Sequence, residues 1–222
     1  MRTPSSSMQK AKRVLPDQVC DSLRSHIIEG RLAPGSLLRE ERLAATLAVS
    51  RTPLREAIRQ LAEEGFIEKP PRRGARVAEL TPEMVREVFE VREALEGMAA
   101  RLAAARADQD DVARMRVYLE SLRPRIEAGD LSDTGDMIHG EIFAACGNSR
   151  LQRLMAVYRS KVEWIQRASF QFSQRLRTAY QEHESVVRAL ECSDSEWAES
   201  AVRRHIRNTL EEWLQSSQAG DE

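Results

Sequence analysis

The chain has 222 residues, 41% of them hydrophobic and 31% charged, with a formal net charge of -1; that is enough apolar material for a core in each of two modest domains, and it excludes a wholly disordered chain. No charge-free stretch approaches the roughly 20 apolar residues that span a bilayer and no apolar run of the signal-peptide kind opens the chain, so a soluble, cytoplasmic protein with no membrane partner is expected. The small net charge conceals an asymmetry, since residues 9–80 carry 14 Lys and Arg against 10 Asp and Glu, whereas residues 81–222 carry 19 against 25.

Residues 1–10, polar and Ser-rich, read as a flexible tail. From Leu15 the pattern turns helical, with Val19, Leu23 and Ile27 forming one apolar stripe and Gly30 placed to stop it. Ala33-Pro34-Gly35 is a turn signal. REERLAATLAV then makes a short helix with Leu43 and Leu47 inward, and a break of two or three residues leads to Ser50. Two short helices joined by a tight turn form the helix-turn-helix pattern.

The second of these helices is VSRTPLREAIRQLAEEG, residues 49–65. Ser50 is placed to accept a hydrogen bond from the first turn, and Pro53 loses a donor that had no intrahelical partner, so the proline marks a start. Leu54, Ala57, Ile58, Leu61 and Ala62 share one face, while Thr52, Arg55, Glu56 and Arg59 occupy the other. After Gly65, FIEKP and ARVAEL have strand-like composition and flank PRRG, which predicts a two-stranded wing with Arg72, Arg73 and Gly74 at its tip.

Beyond Thr81-Pro82 the pattern is helical throughout, with six amphipathic helices at about 82–106, 109–128, 132–146, 149–169, 172–191 and 195–216. The expected fold class is therefore mainly α: a winged helix-turn-helix domain over 11–80 and an all-α bundle over 81–218. Cys20, Cys146 and Cys192, odd in number and widely spaced, match no zinc or disulfide pattern and are expected as small buried or half-buried fillers. Trp164, Trp197 and Trp213 are expected in the core or an interface.

A helix presenting Thr and Arg on its free side fits a major groove, where Arg pairs bidentately with guanine, and a basic wing tip suits phosphates or the minor groove. For a single arginine a solvated ion pair worth under about 1 kcal/mol is the simpler account. The joint occurrence of helix-turn-helix, arginine face and basic wing favours DNA. These residues also carry a resemblance: IIEGRLAPGSLLREERLAATLAVSRTPLREAIRQLAEEGFIEKPPRRGARV resembles the winged-helix domain of GntR-type bacterial transcription regulators. The resemblance implies that Arg51, Thr52 and Arg55 approach bases or nearby phosphates, with Arg39 on the backbone and Arg73-Gly74 at the wing. Arg51 joins the set by that analogy, because helical geometry alone puts it beside the apolar edge.

Three of the four histidines lie in the acidic rear: His139, His183 and His205. If CSDS joins two antiparallel helices, the pivot falls near Asp194, and His183 and His205 come level across the pair. Imidazoles converging in a bundle suit a divalent ion such as Zn or Ni. The region from about 82 to 216 is similar to the all-helical effector domain of the FadR-like branch of that family, called FCD. In its metal-binding members an aspartate four residues before the first histidine joins three histidines around an ion that helps hold a small carboxylate. GDMIHGEIFAACGNSRL matches the region of the first histidine, but Gly135 stands at the expected aspartate position and Asp136, three residues before His139, is the substitute candidate. Without metal, the same histidines would bind an anionic ligand directly. Arg92 matches a pocket arginine of the family; its alternative role is an i to i+4 ion pair with Glu96.

These expectations describe a homodimeric regulator that binds a short inverted-repeat operator in double-stranded DNA and answers to a small organic acid. Two other readings remain at this level. A helical metalloenzyme is weakened because Tyr180 and Val202, not carboxylates, precede His183 and His205 by three residues, and because no phosphate loop, nucleophile elbow or HExxH motif is present. A ligand-independent architectural DNA-binding protein is weakened by the acidic rear.

Overall fold

The computed structural model describes residues 16–128, 136–168 and 176–219, so the expected tail at 1–10 lies outside the described residues. The chain divides into two compact units, Met1–Ala78 and Glu79–Glu222.

The first unit holds α1 (Pro16–Ile28), α2 (Glu40–Thr46), α3 (Arg51–Glu63), β1 (Ile67–Glu68) and β2 (Arg76–Val77). Val19, Leu23 and Ile27 of α1 pack against Leu54, Ala57, Ile58 and Leu61 of α3, and all seven are buried. The turn between α2 and α3 needs only a few residues because Ala48 takes a left-handed conformation (φ 52), which lets Val49 N donate to Ala44 O at 3.0 Å. Gly65 (φ 77) ends α3: its N–H bonds to Ala62 O and the next N–H, of Phe66, to Leu61 O, closing the helix and turning the chain into β1.

One expectation fails at the other end of α3. Ser50 occupies the N-cap in extended backbone, yet its hydroxyl caps nothing. The physical reason lies in the same helix start. A cap oxygen takes its proton from the second or third helical N–H, and the third residue of α3 is Pro53, which has none, so only the Thr52 N–H is left to be capped.

β1 and β2 pair antiparallel with Ile67 opposite Val77 and Glu68 opposite Arg76. Leu37 bridges Arg76 from the other side, and Leu38 N donates to Ala75 O, so the turn after Ala33-Pro34-Gly35 runs along the wing as a third edge. Leu61 is fully buried where the helices and wing meet. Leu61→Ala is expected to destabilise this unit by about 2–5 kcal/mol, read as a lower urea midpoint with an unchanged slope.

The second unit is all helical among the described residues: α4 (Pro82–Arg106), α5 (Gln109–Glu127), α6 (Asp136–Ala145), α7 (Ser149–Ala168), α8 (Leu176–Glu191) and α9 (Ser195–Ala219). Thr81 caps α4 by accepting from Met84 N, with Pro82 following at the first helical position, and Asp108 with Asp111 forms a reciprocal capping box on α5. The expected starts of the third and fifth bundle helices, at 132 and 172, fall among residues not described. Ala99, Ala100, Ala103 and Ala104 give α4 a small-residue face, and it packs most extensively on α9, where Ala198, Ala201, Val202 and Ile206 are buried.

Between α8 and α9 the turn is as short as CSDS requires. Ser193 is left-handed (φ 54), Asp194 N reaches back to Ala189 O, and Asp194 Oδ1 accepts from Glu196 N and Trp197 N, so Asp194 closes one helix and opens the next. That turn fixes the register of the pair. Trp164 and Trp213 are buried as expected, and Trp197 is exposed. Cys20 and Cys146 are buried; Cys192 is exposed, which corrects the expectation for it, because it lies in the turn rather than on an inward face. Burial pushes the Cys20 thiol up to about 11, against the pull of Arg24, so it stays protonated and inert at neutral pH.

Candidate nucleic-acid interface and candidate metal centre

On the first unit the outer face of α3 is open to solvent along its length. Arg51, Thr52, Arg55, Glu56 and Arg59 are all exposed, as are Arg39 and Ser50 beside them. Arg51 emerges from the first turn at 60% side-chain exposure rather than beside the apolar edge, because at the helix start it has no preceding turn to lie on. Two of these arginines are held from α2: Arg51 Nη2 by Glu41 Oε1 at 2.8 Å and Arg55 Nε by Glu40 Oε2 at 2.7 Å. Arg59 stands 3.9 Å from Glu63, a contact too long for a hydrogen bond. These exposed pairs are individually weak and leave the arginines available to a stronger partner. At the wing tip Arg72, Arg73 and Gly74 are exposed. Gly74 is left-handed (φ 76), and a Cβ there would stand 3.2 Å from Leu37 Cδ1, so glycine is what lets the tip turn back onto that residue.

In the second unit His139 (α6), His183 (α8) and His205 (α9) come together, with one ligand atom from each lying within 4.8 Å of the others. The CSDS turn accounts for two of them: the His183 and His205 ring centroids are 4.5 Å apart across the hairpin. His139 Nε2 and His183 Nε2 are 3.2 Å apart. His183 and His205 are buried and His139 nearly so.

The remaining ring nitrogens of two histidines meet carboxylates. His139 Nδ1 bonds Glu96 Oε2, and His205 Nδ1 bonds Glu182 Oε2 at 2.7 Å, with Glu182 further fixed by Asn208 Nδ2 at 2.6 Å. An imidazole that donates Nδ1–H to a carboxylate keeps the lone pair of Nε2 for a ligand, which is the tautomer these two contacts favour. Burial drives the Glu96 carboxyl upward, but Arg92 and His139 more than offset it and hold it down to about 2. Glu96 therefore stays charged through the neutral range.

This donor set fits a divalent ion. Two nitrogens each about 2.0–2.1 Å from one tetrahedral ion stand roughly 3.3–3.4 Å apart, close to the observed separation, and a carboxylate behind a ligating imidazole is the usual outer support. The sequence placed all three histidines here. It did not assign Glu96 or Glu182 to this role, although the same pivot sets 182 level with 206, beside His205. The Asp136 side chain lies outside the described residues, as does Gly135.

A cavity of about 300 Å³ opens against His139 and is lined by Arg92, Glu96, Gln152, Arg159 and Gln166 among others. Arg92 makes the i to i+4 ion pair with Glu96 and also lines the cavity. It is 2% exposed, donates Nε to Glu96 Oε1 at 2.6 Å, and keeps Nη1 buried without a hydrogen-bond partner. A buried guanidinium nitrogen left unpaired is costly, and an anionic oxygen from the cavity would satisfy it.

Comparison with known proteins bears on both units. Residues 15–77 match the family described as bacterial regulatory proteins, gntR family, and residues 87–208 match the FCD domain. A probable D-xylose utilization operon transcriptional repressor of Paenarthrobacter nicotinovorans is 32% identical over 204 residues, spanning 90% of this chain and 89% of that protein. The Nta operon transcriptional regulator of Aminobacter aminovorans is 30% identical across 82% of this chain and 86% of its own. Among solved structures, E. coli McbR/YncC has a TM-score of 0.72 at 23% identity, covering 91% of this chain and 98% of that one. A putative transcriptional regulator from Rhodococcus sp. RHA1 scores 0.71 at 22% identity, covering 90% and 98%. At such identities the structural likeness establishes the fold alone.

Proposed function

We propose, from the premise that this chain belongs to the gntR family of bacterial regulatory proteins and carries an FCD domain, that a carboxylate metabolite bound beside a metal-holding histidine triad governs its grip on DNA. The chain is a DNA-binding transcription regulator and not an enzyme. Proteins of this family bind DNA operators and small-molecule effectors, which also disfavours the ligand-independent architectural reading.

In the proposed roles Arg51, Thr52 and Arg55 read bases or adjacent phosphates in the major groove, with Ser50 and Arg59 beside them. Arg39 meets backbone phosphate, and Arg72, Arg73 and Gly74 meet the backbone or minor groove. Within the helical unit His139, His183 and His205 would hold a divalent ion such as Zn or Ni. When bound, the ion supplies a Lewis-acidic point for a carboxylate oxygen. Arg92 Nη1 supplies the second point, while Glu96 and Glu182 keep two imidazoles in the ligating tautomer. Asp136 stays a candidate fourth ligand, and a homodimer on an inverted repeat completes the reading. No helix among the described residues is long and apolar enough to cross a membrane. Effector binding alters DNA affinity by favouring one arrangement of the DNA-binding domains over another.

The observation that carries this reading is the convergence of three imidazoles, two of them backed by carboxylates, of which His139 lines a cavity shared with an arginine whose Nη1 is unsatisfied. Native mass spectrometry of the full chain as purified tests it, by reporting subunit number, bound metal and retained ligand together. Glu182→Gln keeps the shape but removes the charge behind His205, and is expected to weaken metal affinity about 10–100-fold in a chelator competition. Metal-free protein from metal-supplemented growth, or an unchanged affinity in Glu182→Gln, contradicts the assignment.

A further inference from the structure

The cavity beside His139 is bounded by two arginines of different standing. Arg92 on α4 is buried, its charge is matched by Glu96, and Nη1 remains to be filled. Arg159 on α7 lines the same cavity and is exposed, and its side chain forms no ion pair or hydrogen bond with the described residues. The carboxylate one turn along, Glu163, also lines the cavity but receives Arg167 Nε at 3.0 Å. Pairing thus accounts for Arg92, Glu96 and Glu163, and leaves Arg159 as an unmatched cation in the lining.

Two cationic points from different helices in one small cavity select for two anionic groups. Arg92 is held by Glu96 and desolvated, suited to fix one carboxylate; Arg159 is solvent-exposed and long, suited to meet a second. A volume near 300 Å³ is at the small end for ligand sites, which keeps the molecule short. Gln152 gives one N–H of its amide to Phe143 O at 2.8 Å and, being neutral, adds no third charge to the lining.

We infer that the effector is a short dicarboxylate, with one carboxylate directed to Arg92 beside His139 and the other to Arg159. This rests on the effector reading above and deepens it, and it uses no property of the ion, because the second carboxylate is assigned to a side chain outside the histidine cluster.

Calorimetric titration of the full chain tests it, with succinate and glutarate against their chain-matched monocarboxylates, butyrate and valerate, before and after chelator treatment. Each dicarboxylate is expected to bind at least about ten-fold more tightly than its partner, as one further charge-assisted contact allows. Arg159→Gln is expected to erase that preference while leaving monocarboxylate affinity unchanged, and Arg153→Gln, exposed on the same helix away from the cavity, to change neither. Equal affinities within each pair, a dicarboxylate preference that survives Arg159→Gln, or no binding of any of the four acids would overturn the inference. Arg92→Lys keeps a cation beside Glu96 but removes Nη1; if it weakens neither class of acid, the carboxylate reading of the site fails as a whole, a result separable from that at Arg159.

Discussion

Replacing Arg55 with Ala should lower affinity for a selected operator about 5–150-fold while leaving binding to unrelated duplex nearly unchanged. The probe is a duplex selected by the unaltered protein from a random-sequence pool, titrated by fluorescence anisotropy at several salt concentrations. Arg55 gives up little on binding. In the free chain its Nε donates to Glu40, and its side chain is 64% exposed. A pair so exposed contributes at most about 1 kcal/mol, so breaking it on docking does not cancel a bidentate bond to a base worth about 1–3 kcal/mol. With Nε on Glu40, both terminal nitrogens remain to donate, as bidentate pairing with guanine O6 and N7 requires. Titration across salt also separates base reading from charge. An arginine that only neutralised a phosphate would, once removed, weaken every duplex and flatten the salt dependence by about one unit, whereas removing one that reads a base relaxes sequence preference at a single position. Arg59→Ala provides the comparison, because Arg59 is just as exposed but sits two turns along α3 from Arg51. Full operator selectivity in the Arg55→Ala protein would remove Arg55 from the reading set.

The parts of this molecule that were legible in the sequence are those set by local rules. α4 begins and ends where Thr81-Pro82 and the acidic ADQDD segment placed it, because a capping residue, a proline and a run of polar residues are signals that no tertiary contact needs to supply. The His183–His205 juxtaposition was legible for the same reason: a turn as short as CSDS leaves one antiparallel register, and counting outward from it pairs residues without any coordinates. What the sequence hid depends on distant partners or on two local rules in conflict. Ser50 and Pro53 each signal a helix start, yet they compete, since Pro53 removes one of the two donors that Ser50 could cap, and no cap bond forms. Leu37 carries no strand pattern of its own and joins the wing only because Arg76 presents an edge to it. Glu96 reads from its spacing as the partner of Arg92, and its second bond, to His139 on another helix, has no sequence signature. The unmatched state of Arg159 is still less visible, because it follows from Arg167 having taken Glu163.

The double replacement His183→Ala with His205→Ala is expected to abolish bound metal altogether. A carboxylate behind a ligating imidazole is worth about 10–100-fold in metal affinity, so two direct ligands are worth more than about a thousand-fold, and dialysed protein should hold no stoichiometric ion by elemental analysis. Both imidazoles are buried, which raises the concern that the variant fails by unfolding rather than by losing a ligand. The hairpin argues otherwise. Val186, Val187 and Leu190 of α8 and Ala198, Val202 and Ile206 of α9 remain buried, and the Asp194 turn is untouched, so the register survives. Melting with and without chelator then distinguishes the two causes. An ion bound at about a thousand times its dissociation constant adds about 4 kcal/mol to the folded state, so chelator should lower the melting temperature of the unaltered protein markedly. In the double variant chelator should have no effect, and both forms should melt cooperatively near the chelated parent. If the variant retains one ion per chain, or if chelator leaves the parent's melting unchanged, the three imidazoles are a packing cluster, and the carboxylate ligand must be held by Arg92 and Arg159 without a metal.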